Sequence, residues 1–269
     1  MSGQSMHSIS LASAFSCEPP KPEFLWQGFL AGEIGALIAP SGAGKSFWAL
    51  EAAMAVAGGD ILGLKPQHTG RVLYLATSDP EPVLIHRIHA IGKHLTPEAR
   101  QAVAENLTLE PVTGSRAKIW EAIKQSQGAQ LIVLDTTSRL LTFLDENNQD
   151  DPELQLAFLQ RISVDTGASI LYLHTCPESP LHDAAHWRAH LTSMTAQESV
   201  RLGIVRRDSF VRLGVAKQEG EDSLQEQWYE RGDGGVLLPA ALTDSPRKLR
   251  LIRNTQPAVY GAAKEEHHV

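Results

Sequence analysis

The chain has 269 residues, 42% of them apolar, and a formal net charge of −7. That length allows one large domain or two small ones with a sizeable core, and the acidic balance removes the argument for nonspecific nucleic-acid binding through a basic surface. Two cysteines, Cys17 and Cys176, exclude a disulfide framework, the first basic residue at Lys21 leaves no charged leader, and no apolar run approaches the roughly 18 residues of a membrane span, so a cytoplasmic protein with no membrane contact is expected.

In chain order, residues 1–25 read as an N-terminal arm and linker. A short apolar stretch over 9–15 predicts a small helix, and Pro19, Pro20 and Pro22 stiffen the linker to the body. Residues 26–242 read as one α/β domain and 243–269 as a flexible tail with Arg247, Lys248, Arg250 and Arg253 in solvent. Within the domain, the continuous apolar run 34–39 predicts a strand, followed by a glycine-rich turn and a helix over 46–57. Further strands are expected over 71–76, 107–112, 131–135 and 169–174, and helices over 80–91, 117–127 and 152–165. Leu95-Thr96-Pro97-Glu98 marks another helix start, with Thr96 as N-cap and Pro97 at the first helical position. Strands apolar on both faces, alternating with helices, imply a mainly parallel sheet flanked by helices. Beyond residue 205 the pattern changes: strands over 210–216 and 227–238, the latter turned at Gly232-Asp233-Gly234-Gly235, imply an antiparallel C-terminal extension of the same sheet.

Ala39-Pro40-Ser41-Gly42-Ala43-Gly44-Lys45-Ser46 matches a Walker A phosphate loop in all but its first position, where Ala39 replaces glycine. Gly42 and Gly44 let successive backbone N–H groups of Ser41, Gly42, Ala43, Gly44, Lys45 and Ser46 turn toward phosphate oxygens, and the following helix points its positive end there. Lys45 is expected to reach the β and γ phosphates of ATP, and Ser46 to ligate Mg²⁺. A Walker B strand should run alongside. Leu131-Ile132-Val133-Leu134-Asp135 has that form, making Asp135 the second residue of the nucleotide and metal site.

These motifs bring a specific resemblance. Gly35-Ala36-Leu37 through Gly44-Lys45-Ser46, Val72-Leu73-Tyr74-Leu75, His86-Arg87-Ile88-His89-Ala90, Leu134-Asp135-Thr136, Leu191-Thr192-Ser193-Met194-Thr195, Phe210-Val211-Arg212-Leu213-Gly214-Val215-Ala216-Lys217 and Asp233-Gly234-Gly235-Val236-Leu237 are arranged in the order of the RepA-type hexameric plasmid replicative helicases, a branch of the RecA-like P-loop ATPases, which the chain resembles. The resemblance implies a RecA-like fold, a homo-oligomer that forms a hexameric ring with ATP at subunit interfaces, and an N-terminal arm that packs on a neighbour.

The departures from that family bear on activity. Its water-activating glutamate, at the end of the second strand, is replaced in Ser78-Asp79-Pro80, and serine does not serve as a base near neutral pH without a partner. Asp79 is the candidate substitute. Paired histidines at the end of the fourth strand become His174-Thr175, and the channel loop that grips DNA shrinks to Cys176-Pro177-Glu178-Ser179-Pro180. Arg206 and Arg207 stand near the family's arginine-finger position, displaced by Asp208, and Arg87 matches directly; with Asp79 they complete the candidate catalytic set.

Other constellations are weaker. His182, His186 and His190 would share a helix face with zinc-like spacing, but Trp187 and the family match favour a strand that scatters them. His86, His89 and His94 read as polar helix positions, and Cys176 as a small buried residue.

Two functions fit these residues. One is a hydrolysis-poor, ATP-binding oligomeric factor with a structural or regulatory role toward a protein partner. The other is an active ring helicase or translocase of plasmid or mobile-element replication. Ser78, Thr175 and the short loop favour the first, since loss of the base removes about 10²–10⁴-fold in rate, and DNA contact is weakened with the loop.

Overall fold

A computed structural model describes residues 10–19, 21–77, 79–112, 116–135, 152–176, 200–207, 209–218 and 227–240. The arm carries helix α1 (Leu11–Ser16), capped by Ser10 and burying no residue. Next comes a small hairpin of β1 (Phe24–Trp26) and β2 (Phe29–Leu30). Its aromatic residues join the core: Trp26 meets Phe29 edge-on at 4.9 Å and Trp48 at 6.2 Å.

The body alternates β3 (Ile34–Ala39), α2 (Lys45–Ala57), β4 (Val72–Ala76), α3 (Glu81–Gly92), α4 (Pro97–Asn106), β5 (Leu107–Pro111), α5 (Arg116–Gln125), β6 (Leu131–Asp135), α6 (Pro152–Thr166) and β7 (Ser169–Thr175). It ends with β8 (Val200–Arg207), β9 (Phe210–Gln218), β10 (Gln227–Arg231) and β11 (Leu237–Pro239), a 3-10 turn Asp233–Gly235 joining the last two. One sheet runs in the order β11-β10-β9-β8-β3-β7-β6-β4-β5. From β8 to β5 neighbours are parallel, and from β8 to β11 they are antiparallel.

Burial explains the sequence patterns. Every residue of β3, β4 and β6 is buried, because helices cover both faces, while edge strand β5 alternates half-buried and exposed residues. α2 buries every residue except Ser46, which is why it is apolar all round rather than striped. It packs with Leu37, Tyr74, Val133 and Leu171 on one face of the sheet. The other face packs Ile132, Leu134 and Ile170 against Ile119 and Ile123 of α5 and Leu156 and Leu159 of α6. α2 stops at Gly58, whose φ of 112° reverses the chain while its N–H donates to Ala55 O at 3.1 Å. Thr96 caps α4 by accepting from Ala99 N at 3.2 Å, with Pro97 at its first position.

Two features of the main sheet differ from the sequence reading. The Walker B strand does not adjoin the phosphate-loop strand: β7 lies between β3 and β6. A strand also covers Val200–Arg207, where none was expected. Arg201 is 1% exposed within it, while Val200, Leu202 and Ile204 alternate with it and join the core. The segment Leu191-Thr192-Ser193-Met194-Thr195, the residues Ser78, Thr136, Asp208, His182, His186 and His190, and the channel-loop residues 177–180 lie outside the described residues.

Candidate nucleotide site

β3 is parallel to β4, β6, β7 and β8 within the sheet, so Ala39, Ala76, Asp135, Thr175 and Arg207 all end at one edge. Open α/β sheets bind ligands in the crevice outside that edge. The loop after β3 turns on Gly42 (φ 73°) and Gly44 (φ 108°), conformations that residues with a Cβ rarely adopt. At Gly44 a Cβ would find only Val211 Cγ2 at 3.9 Å, so the backbone angle and not space calls for glycine there. Gly44 is the N-cap of α2 and makes no side-chain cap, which leaves the first-turn N–H groups facing the crevice.

Lys45 is buried, and its Nζ donates to Ala39 O and Pro40 O, both at 2.8 Å. An ammonium has three protons, so one remains for a further acceptor. Burial lowers its pKa, opposed by Cys176 and Asp135. Ser46 Oγ donates to Asp135 Oδ1 at 3.2 Å, although the two residues come from elements separated by a strand. The loop after β3 carries Ser46 across the ends of β7 and β6 and closes that gap.

Asp135 is 1% exposed, and burial raises its pKa, opposed by hydrogen bonds from Tyr74 and Ser46. The sequence reading did not single out Tyr74. Its hydroxyl donates to Asp135 Oδ2 at 2.7 Å, and the one signal for it is a tyrosine inside an otherwise aliphatic strand, where a buried hydroxyl needs a partner. Thr77 adds to this brace: its Oγ1 donates to Asp135 O at 2.9 Å.

Asp79 and Arg87 form a two-pronged ion pair, Oδ2 to Nη1 at 2.5 Å and Oδ1 to Nη2 at 3.1 Å, each side chain 18% exposed. The guanidinium also lies 4.9 Å from the centre of the Phe47 ring. Arg206 is exposed at the end of β8, with Nη1 3.4 Å from Gly42 O of its own loop; Arg207 closes the strand beside it. His174 is half-buried at the end of β7, Thr175 exposed and Cys176 buried, with the thiol pKa pushed up by burial. His86, His89 and His94 are all exposed, and no cluster of metal-ligating side chains occurs among the described residues.

A glycine loop that hands a lysine and a serine to a helix N-terminus, facing a buried aspartate two strands away, is the arrangement of a P-loop NTPase, and the strand order places it in the RecA-like α/β class. The family model described as an AAA domain matches residues 4–176, which contain the loop, Asp135 and the parallel strands up to β7. The chain belongs to this AAA domain family and is an ATP-binding P-loop NTPase. No helix among the described residues is long and apolar enough to cross a membrane.

Proposed function

We propose that the protein is a hydrolysis-poor relative of the plasmid replicative helicases, which binds Mg·ATP and acts in the cytoplasm as an oligomeric structural or regulatory factor for a protein partner. In this reading the backbone of Ser41, Gly42, Ala43 and Gly44 cradles the phosphates, and the remaining Lys45 proton goes to a phosphate oxygen. Ser46 and Asp135 suit a magnesium ion, because a hydroxyl and a carboxylate already face each other at 3.2 Å and both are hard oxygen donors. The ion would neutralise phosphate charge between them.

The observation that carries the hydrolysis-poor reading is the Asp79–Arg87 pair. With serine where the family has its base, Asp79 is the acid that could take over, yet both of its oxygens are engaged by one guanidinium. To serve as the base, Asp79 would have to give up part of this two-pronged pair. Asp135, the other carboxylate described at the loop, is committed to Ser46 and Tyr74.

The deciding experiment is steady-state phosphate release from ATP, with and without single-stranded DNA, for wild type beside Ser78→Glu. Binding without turnover, and turnover gained in the variant, is expected. Wild-type turnover stimulated by DNA would instead establish the second reading, a ring helicase or translocase in mobile-element replication.

A further inference from the structure

Phe47 sits next to the loop's Ser46 on the first turn of α2, and its buried ring carries two guanidinium groups. Arg87 lies 4.9 Å from the ring centroid, and Arg231, the last residue of β10, lies 5.7 Å from it. Strand polarity produces this meeting. β10 is antiparallel to β9, which is antiparallel to β8, so β10 runs in the direction of β3 and ends at the phosphate-loop edge. Arg231 N donates to Ser209 O at 2.7 Å, which ties this end to the β8–β9 turn beside Arg206. Gly235 permits the close packing, since a Cβ there would stand 2.9 Å from the Phe47 ring and 3.0 Å from Arg231 Nη2.

The charge balance at this edge opposes that of the chain. A protein of net charge −7 gathers Lys45, Arg87, Arg206 and Arg231 here, against Asp79, Asp135 and the exposed Asp233 of the turn after β10. Asp79 is taken by Arg87, and Asp135 by Ser46 and Tyr74. Among the described residues no carboxylate pairs with Arg231. Its pKa is held below the ordinary arginine value by burial first, and then by Arg206 and Arg87. Guanidinium stays charged regardless, so an anion entering beside Arg231 is favoured.

We infer that Arg231 is a phosphate contact of the nucleotide bound by its own chain, held on the Phe47 side of the phosphate loop. The inference rests on the proposed nucleotide site and extends it to the antiparallel extension, which lies beyond the family match at residue 176. Phe47 acts as the platform: stacking on its ring orients the planar guanidinium and leaves the N–H edge for phosphate oxygens. The ligand class is the phosphate chain of a nucleoside di- or triphosphate.

The test is calorimetric titration of the full chain with Mg·ATP and Mg·ADP, comparing wild type, Arg231→Met and Lys45→Ala. Methionine keeps an apolar cover over Phe47 and removes the charge. Affinity for both nucleotides is expected to fall about tenfold in Arg231→Met, with a shallower salt dependence. Unchanged affinity in a variant that melts like wild type overturns the inference. Lys45→Ala separates the two levels: if it binds ATP like wild type, the loop reading fails and takes Arg231 with it. If it loses binding while Arg231→Met does not, Arg231 alone is wrong. Should Arg231→Met fold poorly, phenylglyoxal labelling of wild type read by mass spectrometry gives the answer. Mg·ATP at ten times its Kd should slow modification of Arg231 about tenfold, and no protection refutes the contact.

Discussion

Tyr74 Oη donates to Asp135 Oδ2 at 2.7 Å across the adjacent strands β4 and β6, opposite the Ser46 hydroxyl at Oδ1. The tyrosine is fully buried and its pKa is raised, first by burial, so it remains a neutral donor. The hydrogen bonds from Tyr74 and Ser46 oppose the burial that raises the Asp135 pKa. Tyr74→Phe removes the donor, so the Asp135 pKa rises further and the ionised form is lost at a higher pH as acid is added. Mg·ATP affinity should fall about tenfold, the value of a buried hydrogen bond to a charged group. The acid limb of binding should move upward when affinity is titrated between about pH 5 and 8. Superimposable pH profiles for variant and wild type would remove Tyr74 from the site.

Asp79 offers a sharper discrimination. On the proposed reading, an aspartate gripped through both oxygens by Arg87 serves as a structural partner. Asp79→Asn should leave single-turnover phosphate release unchanged within about twofold, far from the 10²–10⁴-fold contribution of a general base. The pair is partly solvent-exposed, so its loss should lower stability by no more than about 1 kcal/mol. A collapse of release in Asp79→Asn would make it the substitute base after all.

The loop and Asp135 were legible because their signals are local. Glycines, lysine and serine lie within a few positions, and Leu131–Asp135 is a continuous apolar run ending in an acid. The sheet order was not, since nothing local says that β7 separates β3 from β6 or that β8 pairs with β3. The same limit hid Tyr74. Its partner is 61 residues away and is set by the register Ala76↔Asp135. No local pattern marks Arg231, which the antiparallel strands β8, β9 and β10 return to Phe47. The β1–β2 hairpin escaped notice because proline-rich flanks suggested a linker, while its Trp26 and Phe29 complete the core beneath α2.

Two glycines with similar backbone angles should respond differently to alanine. Gly42 has φ 73° with nothing within 4 Å of a built Cβ, so Gly42→Ala carries backbone strain alone, about 1–2 kcal/mol. Gly235 has φ 90°, and its Cβ would press on the Phe47 ring at 2.9 Å as well. Gly235→Ala should therefore lower the melting temperature more than Gly42→Ala, and should also weaken nucleotide binding by displacing Arg231. Equal melting temperatures for the two variants would show that the hairpin turn yields without disturbing Phe47.

Glu51 gives the molecule a pH dependence unrelated to the nucleotide. Its carboxyl is 0% exposed in the middle of α2; Oε1 accepts from Leu237 N of β11 at 2.9 Å, and Oε2 has no hydrogen-bond partner among the described residues. Burial pushes its pKa up to about 8, opposed by the Leu237 N–H, so it is a neutral acid at pH 7. Between the ordinary value of 4.5 and about 8 the folded chain holds a proton that the unfolded chain releases. Stability contributed by this group must then fall as pH rises through that window, by roughly 1.4 kcal/mol per pH unit, and level off above it. Glu51→Gln keeps the acceptor for Leu237 and cannot ionise. Relative to wild type its melting temperature should be near equal at about pH 5 and higher by several degrees at about pH 8. A difference that stays flat from acid to alkaline pH would mean that Glu51 titrates normally, and that water reaches its second oxygen.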